Sequence, residues 1–237
     1  MTLMKLIKHF DFVNNQTLDP NDFTVAVGDK WPNKELQSYI DKKKNLFFDE
    51  QGLNLRATYE NGLFESARIH TKGKFYFKYG RVDIVAKVPK GKGTWPALWM
   101  MSNDWRYGHW PKSGEIDIVE HVGNELDKLY LCVHTESYNH KYGSEYFNKL
   151  HVPGVSDDFN TFSLLWTEDS ITYELNGQRL VTYEKGEDGR DTSPKGWPFD
   201  HPFHLIMNLA VGGMLGGPVD ETVFPQTFTI KDIKVYQ

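Results

Sequence analysis

Gly114-Glu115-Ile116-Asp117-Ile118-Val119-Glu120-His121 carries three carboxylates separated only by branched aliphatic residues. Ile and Val favour an extended, pleated backbone, so Glu115 and Asp117, two apart, project from one face of a strand. Glu120 breaks the parity, because residues five apart on a regular strand point to opposite faces. One extra residue in a β-bulge between Asp117 and Glu120 returns all three acids to one side. The stretch is therefore read as a bulged strand whose acidic face is kept out of the core.

A fixed Glu, Asp, Glu triplet arises by chance in roughly one chain of this size in twenty, so the surrounding sequence must carry the argument. The chain has 237 residues, 39% hydrophobic and 14% aromatic, with seven tryptophans and a net charge of −5. That length suits one large all-β domain with a substantial core. No basic footprint points to nucleic acid. The lone cysteine, Cys132, excludes an intrachain disulfide and a Cys-based zinc site. Met1–Lys8 has basic residues but no continuous apolar run of signal-peptide length, and no later stretch approaches a membrane span.

Residues 10–50 read as irregular and polar, with turn clusters at Asp19-Pro20-Asn21-Asp22 and Trp31-Pro32-Asn33-Lys34. From residue 52 a period of two takes over. It runs through Leu53 and Leu55, then Val82, Ile84, Ala86 and Val88, and then Leu129, Leu131 and Val133. It recurs at Phe162, Leu164 and Trp166, at Ile171, Tyr173 and Leu175, and at Phe228, Ile230, Ile233 and Val235. Asn176-Gly177 is a two-residue hairpin signal, and Glu168-Asp169-Ser170 joins the two strands before it. No segment carries a helical stripe. Many short strands without a linker predict a single antiparallel β-sandwich, with long loops at 102–113, 138–158 and 184–200 shaping a site.

Two carboxyl groups flanking a bond are the minimum equipment for hydrolysing a glycoside with retention. Residues as far apart as Glu115 and Glu120 converge only on a concave, curved face. Calcium is the competing use of the three acids, but its carboxylate ligands usually come from loops with carbonyl partners. Trp95, Trp99 and Trp110 lie just upstream, and flat indoles suit the apolar faces of pyranose rings. His134 points away from Leu129, Leu131 and Val133, together with Tyr130 and Cys132, and would line the same cleft if its strand neighbours the acidic one. A structural histidine fits the spacing equally well. Arg68 is open between a sugar contact and an ion pair.

Gly114–Glu120 resembles the active-site signature of glycoside hydrolase family sixteen, in the bulged, laminarinase-like form. Residues 66–101, Val133-His134-Thr135, Phe203–Gly213 and Ile233–Gln237 look like further family segments, in the expected order. The resemblance implies a β-jelly-roll sandwich of two curved antiparallel sheets with a concave substrate cleft. It further implies one catalytic domain over 1–237 and a retaining endo-β-glucanase acting on β-1,3 or mixed-linkage β-1,3-1,4-glucan. By matching positions, Glu115 would be the nucleophile, Asp117 its assistant and Glu120 the acid/base. Trp99, Trp110, Arg68, His134, Trp95 and Asn33 would be substrate contacts. No cofactor is expected for catalysis. A structural calcium on the convex side could involve Asp11 and Asp232. A monomer is expected outside the cytoplasm, extracellular, periplasmic or at the cell surface, with its export signal absent from this sequence. Val82-Asp83-Ile84 and the segment after Gly213 depart from the usual pattern. The alternatives are hydrolysis of a marine galactan (agar, porphyran or carrageenan) and a non-catalytic carbohydrate-binding module.

Overall fold

The computed structural model describes residues 4–237, so Met1–Leu3 of the amino-terminal reading lie outside the described residues. Two sheets stack face to face. The convex sheet runs in the order Gln178–Glu184, Ser170–Leu175, Asn160–Trp166, Gly80–Lys87, Gln226–Tyr236, Gly52–Glu60, Leu63–Ser66 and Gln37–Tyr39. Leu6–Asp11 adds to Gln226–Tyr236, and Leu46–Asp49 to Gly52–Glu60. The cleft sheet runs Tyr146–His151, Lys128–His134, Glu115–Glu120, Thr94–Ser102, Phe203–Val211, Arg68–His70 and Thr24–Val25, with Tyr76–Phe77 beside Phe203–Val211. Among the described strands, every pairing is antiparallel except that of Gln37–Tyr39 with Leu63–Ser66.

The period-two pattern explains the sandwich directly. Along Gly80–Lys87 every second residue is buried, and Val82, Ile84 and Ala86 turn inward. From the cleft sheet, Leu98, Met100, Ile116, Leu131, Val133, Leu205, Met207 and Leu209 enter the same core. Each fully buried aliphatic side chain contributes about 1.5–3 kcal/mol against the cost of ordering the chain. Two tyrosines of the convex sheet fasten the Lys128–His134 strand. Tyr173 Oη donates to the Cys132 carbonyl at 2.9 Å, and Tyr183 Oη to that of Leu131 at 2.8 Å.

The expected bulge is present. Asp117 and Glu120 face Cys132 and Tyr130, so three steps on one strand match two on the next. On the other side Leu98 pairs with Val119 and Trp99 with Asp117, leaving Ile118 as the extra residue. Ile118 and Val119 are both buried in the core, and Glu120 returns to the face of Glu115 and Asp117. Gly114 opens the strand at φ +79°, and a Cβ there would come within 2.8 Å of the Phe199 ring. Both its backbone conformation and its packing require glycine.

The hairpin at Asn176-Gly177 has both residues at positive φ, as its turn demands. Residues 10–50 differ from the reading as irregular. They hold Thr24–Val25, Gln37–Tyr39 and Leu46–Asp49, and Leu6–Asp11 reaches into them. These short strands are only partly buried at most positions, so they lack the apolar alternation that betrays the central ones. For the same reason Tyr146–His151 sits unannounced inside the expected loop 138–158, with Phe147 half exposed.

Candidate active site

The cleft sheet curves around an open cavity of ≈ 540 Å³. Strand alternation fills its floor: Trp95, Ala97, Trp99 and Met101 from Thr94–Ser102, Asn208 and Ala210 from Phe203–Val211, and Glu115, Asp117 and Glu120 from the bulged strand. Loops supply Trp31, Asn33 and Glu35 on one side and Trp110, His140 and Lys141 on another. All three acids and five of the six expected substrate contacts line this one cleft.

Glu115 and Glu120 are each associated with a different indole. Trp95 Nε1 donates to Glu120 Oε1 at 2.9 Å. The Trp110 indole and the Asp117 carboxyl both act as donors to Glu115, while the positive charge of Arg68 also favours its ionised form. Arg68 lies between two rings, its guanidinium carbon 4.8 Å from the Trp31 centroid and 5.0 Å from that of Trp99. Trp99 Nε1 is fixed by Asn208 Oδ1 at 2.8 Å. Asn33 reaches the cleft from a tight left-handed turn, at φ 61°.

Burial pushes all three carboxyls up. Glu115 rises to about 7, with the donors Trp110 and Asp117 and the charge of Arg68 opposing the shift. Glu120 rises to about 8, opposed by Trp95 and raised further by the charge of Glu115. Asp117 is held well above the usual carboxylate range, first by burial and then by the charges of Glu115 and Glu120. Three acids in one desolvated patch cannot all ionise. Glu115 gathers the donors and the nearby cation, so the negative charge settles there, while Asp117 and Glu120 retain protons.

His134 is the exception among the expected contacts. It pairs with Glu115 across the sheet, on the face its parity gave it, but it lies beside the acids rather than on the cleft wall. Its Nε2 is 3.6 Å from Asp117 Oδ2 and 3.9 Å from Glu115 Oε1, beyond hydrogen-bond reach. Burial brings its pKa down to about 3, so the imidazole is neutral.

Sequence reasoning missed Trp31, Glu35, Asn208, His140 and Lys141 as cleft residues. Asn208 was legible, since it alternates with Met207 and Leu209 and so faces away from the core. Glu35 accepts from Gln37 Nε2 at 2.7 Å and from Tyr39 Oη at 3.3 Å, contacts that only folding brings together. Of the two departures, Asp83 accepts from Ser163 Oγ at 2.6 Å and pairs with Arg81 on the convex sheet, away from the cleft. The segment after Gly213 forms a short helical turn, Gly213–Gly216, against Pro32–Lys34.

The sequence model of Glycosyl hydrolases family 16 matches residues 30–230. A beta-glucanase from Rhodothermus marinus is 39% identical over 92% of this chain and 80% of its own length. A glucan endo-1,3-beta-glucosidase A1 from Niallia circulans is 33% identical over 99% of this chain, which spans 38% of that longer protein. Among solved structures, the laminarinase from Rhodothermus marinus superposes with a TM-score of 0.93 at 36% identity, covering 99% of this chain and 98% of its own. The laminarinase from Flavobacterium sp. UMI-01 gives 0.89 at 34%, covering 98% and 100%. Matched over most of its length in sequence and nearly all of it in structure, with its three acids on the concave sheet, this chain belongs to glycosyl hydrolase family 16.

Proposed function

We propose that the protein is a retaining endo-acting β-glucanase that cleaves β-1,3 linkages in laminarin-type or mixed-linkage β-1,3-1,4-glucan. The observation that carries this reading is the placement of two glutamates, Glu115 and Glu120, on one bulged strand that lines the cleft, with different neighbours around each. Glu115, supplied with donors and a nearby cation, is equipped to attack the anomeric carbon as a carboxylate. Glu120, still protonated, gives its proton to the departing oxygen, and the same group then takes a proton from water to release the glycosyl-enzyme. Asp117 donates a hydrogen bond to Glu115, steadying its charge before attack. Retention requires the two carboxyls to work about 5–5.5 Å apart across the bond.

The open cleft, rather than a closed pocket, suits cleavage within a chain. Trp99, Trp110, Trp95, Arg68 and Asn33 are assigned to sugar contacts, and His134 to packing beside the acids. A pure binding module would need only the indoles, since three desolvated carboxyls burden a site that performs no chemistry. A single catalytic domain spanning 1–237 is supported by one core that runs from Phe10 to Val235. Action on external polysaccharide supports a location outside the cytoplasm. Among the described residues, no helix is long and apolar enough to cross a membrane.

Calcium is proposed for Asp232 and not for the carboxylate of Asp11. The two residues are cross-strand partners. Asp232 Oδ1 is buried without a hydrogen-bond partner among the described residues and is the oxygen left to take a cation, while Oδ2 lies 3.5 Å from Lys234 Nζ and 3.8 Å from His9 Nε2. Both oxygens of Asp11 are engaged by the Val13 and Asn14 amides and Asn14 Nδ2.

Glu115→Gln and Glu120→Gln are each expected to cut laminarin hydrolysis by about 10²–10⁴-fold or more with the fold intact by circular dichroism. NMR of early products from the unmodified enzyme should show the β-anomer first; initial α-anomer would remove the nucleophile role from Glu115. In a pH profile, kcat/KM should fall below about 7 as Glu115 takes a proton and above about 8 as Glu120 loses one. Trp95→Phe deletes a donor that favours ionised Glu120, so its alkaline limb should move to higher pH; an unmoved limb contradicts the pairing. Calcium at a hundredfold excess over Kd should raise the melting temperature of chelator-treated protein by about 5–10 °C. Asp232→Asn should abolish that rise, and an equal rise in the variant would reject the site.

A further inference from the structure

Beside the acids of the cleft sheet, three unlike donor groups converge. Cys132 and His134 share one face of the Lys128–His134 strand, and Asp117 faces Cys132 across the sheet. Cys132 Sγ lies 3.3 Å from His134 Nε2, and that nitrogen lies 3.6 Å from Asp117 Oδ2. One ligand atom from each of the three residues falls within 4.8 Å of the others. Asp117 Oδ2 is buried with no hydrogen-bond partner among the described residues, on a side chain only 4% exposed. An unsatisfied buried acceptor costs about 1–3 kcal/mol, so its aim at an imidazole nitrogen beside a thiol calls for a ligand.

The distances select the kind of ligand. Tetrahedral zinc, with bonds of about 2.3 Å to sulfur and about 2.0–2.2 Å to nitrogen or oxygen, sets sulfur and nitrogen about 3.5 Å apart and nitrogen and oxygen about 3.4 Å apart. The two observed separations that involve His134 Nε2 agree within a few tenths of an ångström. Calcium and magnesium take oxygen donors in larger sets, so sulfur and nitrogen disfavour them. The lone cysteine excludes a site built on several cysteines, but not this mixed set.

We infer that Asp117, Cys132 and His134 form a binding site for a borderline or soft divalent cation such as Zn²⁺ or Cd²⁺, entered from the cleft floor, and that its occupancy inhibits the enzyme. On binding, the Cys132 thiol releases its proton to solvent as the metal–sulfur bond forms, and Asp117 gives up its own proton to ligate; no electrons are transferred. His134 offers the Nε2 lone pair and keeps its proton on Nδ1. Water would complete the tetrahedral shell. With Asp117 drawn to the metal, its hydrogen bond to Glu115 is lost. The inhibitory half of the inference rests on the catalytic reading of Asp117, whereas the metal site does not.

The test titrates chelator-stripped protein with CdCl₂ and follows the ultraviolet thiolate-to-cadmium charge-transfer band. The unmodified protein should develop the band to one equivalent, and Cys132→Ser should not. Absence of the band in the unmodified protein would overturn the site without reference to any variant or to activity. In parallel, Zn²⁺ should inhibit laminarin hydrolysis, and Cys132→Ser should need at least about tenfold more zinc for the same inhibition while keeping its metal-free rate. Cys132→Ala, which adds no polar atom to the buried position, should behave alike. Equal zinc sensitivity of all three proteins, or a cadmium band without inhibition, would overturn the inhibitory role.

Discussion

Three carboxyl groups share one desolvated patch of sheet, and the rest of the site is arranged around the fact that they cannot all carry charge. Burial raises each of them, so what separates their roles is the company each keeps. Glu115 has two donors and a neighbouring guanidinium, Glu120 has one indole and the repulsion of Glu115, and Asp117 has the repulsion of both. The bulge at Ile118 makes this company possible. Were residues 117–120 paired in regular register instead of bulged, Glu120 would turn to the core face, where an acid has no partner.

The same indoles serve the protein twice. Trp95 turns its N–H edge to Glu120 and Trp110 lies beside Glu115 while both line the cleft where a sugar would stack. Sugar binding and proton placement are therefore coupled in single side chains. Trp99 is held by Asn208, and Arg68 sits between Trp31 and Trp99, so the floor is rigid before any substrate arrives. Preorganised donors of this kind stabilise developing charge without rearrangement.

Much of this was legible in the chain. Alternation located most convex-sheet strands and Lys128–His134, and the broken parity of Glu120 announced the bulge, whereas Phe203–Val211, buried on both faces, shows no alternation. The edge strands were not legible, because Leu6–Asp11 and Tyr146–His151 keep apolar side chains in solvent and show no clean period. Parity gave His134 the correct face, but it fixes neither register nor depth, so it could not tell the cleft wall from a position beside the acids. Trp31 and Glu35 reach the cleft through a turn with Asn33 and Lys34 at positive φ, and no pattern in the sequence encodes where such a turn docks.

The central claim is that Glu115 forms the covalent bond to sugar while Glu120 handles the proton. A mechanism-based fluorinated glucoside, whose glycosyl-enzyme turns over slowly, followed by proteolysis and mass spectrometry, reads that bond directly. The added mass should appear on the peptide that carries the bulged strand, with fragmentation placing it on Glu115. Label on Glu120, or on Asp117, would contradict the assignment of roles.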